Sequence, residues 1–111
     1  MELAVAYDLP HLTSLERSFA FTDQAVTLTD TFVLTRETAV TERFVSLIEP
    51  VRQGERLLID DVTVTGPSGI TPTVTVKVVW PHIGKEPHNV YLIDYTLPEG
   101  ARRFTLTMET P

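Results

Sequence analysis

Residues 14–22 and 25–35 alternate apolar and polar side chains with a period of two, and each apolar row is interrupted by one charge. In the first row Leu15, Phe19 and Phe21 share a parity with Arg17; in the second, Val26, Leu28, Phe32 and Leu34 share one with Asp30. Period two marks a β-strand with one buried face. A lone charge on such a face is costly, whereas a paired one is tolerated, so the two rows constrain each other. A tight turn at Asp23 and Gln24 sets Phe21 opposite Val26, Phe19 opposite Leu28, Arg17 opposite Asp30 and Leu15 opposite Phe32. The two charges then meet as a structural ion pair. A slip of one residue would separate them, so the pair predicts both the hairpin and its register.

Further along, the same reading predicts more short strands. Residues 39–48 carry Val45 and Leu47 in one parity and Phe44 and Ile48 in the other, which predicts burial on both sides towards the end. Residues 55–65 read as a strand with a break near Asp60 and Asp61, followed by a turn at Gly66-Pro67-Ser68-Gly69. Residues 71–80 set Val74, Val76, Val78 and Trp80 on one face and Thr73, Thr75 and Lys77 on the other, which predicts that Trp80 belongs to the core. Two last strands follow at 90–97 and 103–108, separated by Pro98-Glu99-Gly100. Seventeen Thr and thirteen Val in 111 residues favour strand over helix throughout, because β-branched side chains suit a pleated surface. The expected fold is all-β: an antiparallel β-sandwich of about seven to eight strands, formed as a single domain from residues 1–111.

Composition excludes several function classes. With no cysteine there is no thiol nucleophile, thiolate zinc site or disulfide framework. Nine basic residues against fifteen acidic ones give a net charge of −6, and the basic ones are scattered, so no basic face exists to displace counterions from nucleic acid. The longest apolar runs, of about five residues, are too short to span a membrane. No phosphate-cradling glycine loop and no Gly-x-Ser-x-Gly turn is present.

Four groups of side chains are candidates for chemistry. His82 and His88 flank a segment that also holds Glu86, and a metal site or a small enzyme centre built on these three competes with an exposed connector, which is the preferred reading; no cofactor is expected. Asp60 and Asp61 are adjacent, which on a strand sends their side chains to opposite faces and unsuits them for paired acid–base work; calcium ligation at a bulge or loop competes with a solvated strand end, which is the preferred reading. Arg17 is either a clamp for an acidic substrate or the structural partner of Asp30, and Asp30 already occupies it. Tyr7, Trp80, Tyr91 and Tyr95 are aromatic candidates for a sugar-stacking platform; Tyr91 and Tyr95 share the parity of Ile93 and belong either to the core or to the inner edge of a groove that contacts sugar.

From Tyr7-Asp8-Leu9 through "SLERSFAF" and "VTLTDTFVL", with Arg17 and Asp30-Thr31-Phe32, and again in the closing "VYLIDYTLPEGARRFTLTMET", the chain resembles the C-terminal β-sandwich of heparinase II/III-like polysaccharide lyases. The resemblance implies that the chain is the C-terminal part of a larger protein, whose catalytic α/α toroid cleaves uronic-acid polysaccharides by β-elimination. It implies a non-catalytic accessory domain that packs against that toroid and closes one wall of the substrate cleft. No catalytic residue carries over, because the family's catalytic Tyr, His and Asn lie mainly in the toroid. The alternative is a stand-alone carbohydrate-binding or protein-interaction sandwich. A bare apolar patch on one sheet favours the first reading, and a concave face with exposed aromatics favours the second.

Overall fold

The structure is a computed structural model that describes residues 12–36, 38–80 and 86–111. These residues form nine strands and no helix: β1 (Leu12–Phe21), β2 (Ala25–Leu34), β3 (Val40–Ser46), β4 (Val51–Gln53), β5 (Arg56–Ile59), β6 (Val62–Thr65), β7 (Thr73–Val79), β8 (His88–Leu97) and β9 (Arg103–Glu109). They make an antiparallel β-sandwich of two unequal sheets. The larger has the order β1-β2-β9-β6-β5-β4 and the smaller β3-β8-β7.

The β1–β2 hairpin sets Phe21 opposite Val26, Phe19 opposite Leu28, Arg17 opposite Asp30 and Leu15 opposite Phe32. Its turn is closed by the Thr22 amide donating to the Ala25 carbonyl at 2.9 Å, while the Ala25 amide donates to the Thr22 hydroxyl at 3.1 Å. Strand β9 pairs with β2 on one side and β6 on the other, so the last strand of the described chain is internal to the larger sheet. In the smaller sheet β8 is central, between β3 and β7.

The core lies where the two inner faces meet. It gathers Leu15, Leu28, Phe32, Leu57, Val64, Phe104 and Leu106 from the larger sheet and Val40, Ile93, Tyr95 and Leu97 from the smaller one. Phe44 stacks on Phe104 with ring centroids 5.9 Å apart, and Tyr95 leans on Phe104 at 5.5 Å. Gly66, just after β6, allows this: a Cβ there would stand 2.3 Å from the Tyr95 ring. A backbone approach that close needs glycine.

Several elements depart from the sequence reading. The third strand ends at Ser46, and Val45, Leu47 and Ile48 are exposed instead of buried on both sides. The break expected near Asp60 and Asp61 is present, and it is a full reversal that makes residues 55–65 two antiparallel strands, with Asp60 in the left-handed region at φ 58°. Strand β4, only three residues between Pro50 and Gly54, is too short for periodicity to reveal. Phe19 and Phe21 continue the buried row of β1 but are 52% and 73% exposed, and Trp80 is 75% exposed and so lies outside the core. For Phe19, Phe21 and Trp80 the reason is that alternation reports which face a side chain takes, not whether a second layer covers it; on the larger sheet, three strands cannot cover six.

Candidate functional site

Two features stand out on the inner faces: a charged seam at one end of the sandwich and an apolar cleft towards the other. At the seam, the Arg17 guanidinium from β1 forks onto Asp30 of β2, with Nε to Oδ1 at 2.7 Å and Nη2 to Oδ2 at 2.8 Å. Glu42 of β3 reaches across from the smaller sheet, its Oε2 3.6 Å from Arg17 Nη2. Asp30 is fully buried and Glu42 nearly so. Burial foremost, then the Asp30 charge and a hydrogen bond to Asp30, push the Glu42 carboxyl up to about 8 from an ordinary value of 4.5. The Arg17 contact pulls the other way, but its fork is already filled by Asp30, so it loses to burial. The arrangement is two carboxyl groups and one guanidinium, with the Glu42 carboxyl holding its proton at neutral pH. Glu42 gave no signal in sequence, since a polar residue in a strand reads as solvent-facing.

The cleft opens between the sheets where β3 ends and the β5–β6 turn begins. Phe44, Ile48, Ile59, Val62, Ile93 and Met108 are among the side chains that line a cavity of about 410 Å³. Asp60 is the one charged side chain on its wall, and Ser46 the one hydroxyl beside that of Tyr95. The Ser46 hydroxyl donates to the Ile48 carbonyl at 2.7 Å and accepts from the Ile48 amide at 3.0 Å, which leaves Asp60 as the polar group at the mouth free of a described side-chain partner. Asp60 also borders a second, more polar cavity with Asp61, Arg56 and Glu109. The apolar surface continues beyond the cleft. Met108, Val26 and Phe21 form one cross-strand row on the inner face of the larger sheet, and Phe19 stacks on Phe21 at 6.2 Å.

The other residues singled out in the sequence do not converge. Tyr95 is fully buried and Tyr91 is 9% exposed, so neither ring is open to a sugar face. Both side chains point inward from the central strand of the smaller sheet, and Tyr95 also stands on the wall of the cleft. The Tyr95 hydroxyl has no hydrogen-bond partner among the described residues, and burial raises its pKa. Glu86 and His88 are exposed, with His88 opening β8. Tyr7, His11 and His82 lie outside the described residues. Among the described residues no three His, Asp or Glu side chains come together to hold a metal, and no helix is long and apolar enough to cross a membrane. On the outer face of the smaller sheet, Arg43 forks onto Asp94 at 2.7 and 2.9 Å and holds that carboxyl below the ordinary range; the pair is solvent-facing and flanked by Thr41, Thr73 and Thr96.

Comparison of the sequence with protein-family models gives no match, and comparison with curated proteins gives none either. What is shown of the chain is its architecture, an all-β antiparallel sandwich.

Proposed function

We propose that this chain is a non-catalytic accessory sandwich that docks on a larger protein module through the overhanging inner face of β1 and β2. The observation that carries this reading is the apolar surface itself. Phe19 and Phe21, stacked on each other and 52% and 73% exposed, stand on the face that a sandwich normally covers. Scattered apolar side chains are ordinary on a surface, but a contiguous patch on an inner sheet face marks an interaction site. The parent reading is a heparinase II/III-like polysaccharide lyase, with its α/α toroid as the partner; what supports that part is the sequence resemblance around Arg17, Asp30 and the closing strands.

The test begins with the native polypeptide, measured by mass spectrometry from its source cells. A chain longer by a helical module is expected, and Phe19→Ser with Phe21→Ser in it should loosen the two modules to proteolysis while leaving the sandwich folded. A native polypeptide of only these 111 residues would overturn the lyase parentage. Unchanged protection in the double variant would overturn the docking face.

A further inference from the structure

We propose that the inter-sheet cleft is a binding site for a small single-chain amphiphile with a cationic head group, its apolar chain between the sheets and its head at Asp60. A cavity of about 410 Å³ falls within the size of small-molecule sites, and its lining is apolar but for one charge at the mouth and the two hydroxyls. Apolar walls with few polar groups select an apolar body, and the single carboxylate sets the sign of the head.

Charge complementarity commits the head to a cation. Asp60 is exposed, and its left-handed backbone in the two-residue β5–β6 turn sets it where the apolar cleft meets a second cavity. That second cavity brings Asp61 and Glu109 to the same rim against one cation, Arg56. The whole chain adds a net charge of −6, which attracts a cation and repels an anionic lipid or fatty acid. The Ser46 hydroxyl is spent on Ile48, so it does not compete for the head group.

This site goes beyond the docking face, since Phe19 and Phe21 are not among the residues that line the cleft. The experiment is a calorimetric titration of the chain with dodecyltrimethylammonium and, separately, dodecanoate, both below their micelle concentrations. The cation is expected to bind about tenfold more tightly. Asp60→Asn keeps a side chain that tolerates the left-handed turn, and should weaken the cation about fivefold while strengthening dodecanoate, from which it removes a repulsion. Val62→Trp fills the cleft and should abolish both. Because that variant risks misfolding, amide chemical shifts of the unaltered chain supply the second measurement, with ligand shifts expected at Phe44, Ile93 and Met108. Equal affinity for the two head groups, no effect of Asp60→Asn, no binding of either probe, or shifts confined to Phe19 and Phe21 would each overturn the site. The last outcome would leave the docking face standing.

Discussion

Arg17 holds a position at which its loss does more damage than one missing charge. It satisfies both oxygens of Asp30, a side chain with no solvent contact, and touches Glu42 across the sandwich. Arg17→Ala leaves Asp30 buried beside a second carboxyl group with no cation, and should destabilise the fold by about 3 kcal/mol, read from the urea midpoint. A loss below about 0.5 kcal/mol would mean that water reaches the seam. Trp80 makes the contrast. Its ring is 75% exposed, so Trp80→Ala should change stability by less than about 0.5 kcal/mol. Sequence made the first of these residues legible and misled on the second for a physical reason. Two misplaced charges must find each other, which is a statement about two positions at once. An alternating valine row says only that Trp80 shares a face with Val74, and Val74 happens to be the last member of that row to meet the other sheet.

At the scale of elements, the seam ties β3 to the β1–β2 hairpin and makes that contact depend on a proton. Folded Glu42 holds its proton up to about pH 8, while in the unfolded chain it releases it near 4.5. Between those values the folded state binds more protons, so stability is fully present at low pH and is lost as pH rises through the window. The slope reaches up to about 1.4 kcal/mol per pH unit, because one pKa unit corresponds to that energy. Thermal unfolding followed from pH 5 to pH 8 should therefore show a falling midpoint, and Glu42→Gln, which keeps a neutral donor, should flatten the curve. A midpoint that rises over this range would reverse the assignment of the proton. The strands were legible where alternation was long: β1, β2, β7, β8 and β9 each cover most of a predicted segment. What failed was short or depended on pairing between sheets. Strand β4 has three residues, and Glu42 looks like any solvent-facing glutamate until β3 is laid over Asp30. The cleft was invisible for the same reason, since its walls come from both sheets.

At the scale of the whole molecule, the radius of gyration is 15.5 Å, against about 13 Å for a close-packed chain of this length. The excess fits a sandwich whose large sheet overhangs the small one and whose inner faces part at the cleft. The order of strands in that large sheet governs how the molecule comes into being. Strands β1 and β2 form one local hairpin, β4, β5 and β6 one local meander, and among the described residues only β9 joins them. Ending the chain after Arg102 should leave two separate pieces of sheet with no shared cooperative transition, seen as a broad, non-coincident loss of circular dichroism and fluorescence on heating. A sharp single transition in that variant would show that the smaller sheet alone can hold the halves together. During synthesis the consequence is one of timing. A ribosome that has delivered β1 to β8 has delivered the strands of the smaller sheet but not those of the larger one, and for that interval the facing edges of β2 and β6 are open to any other strand in the cell.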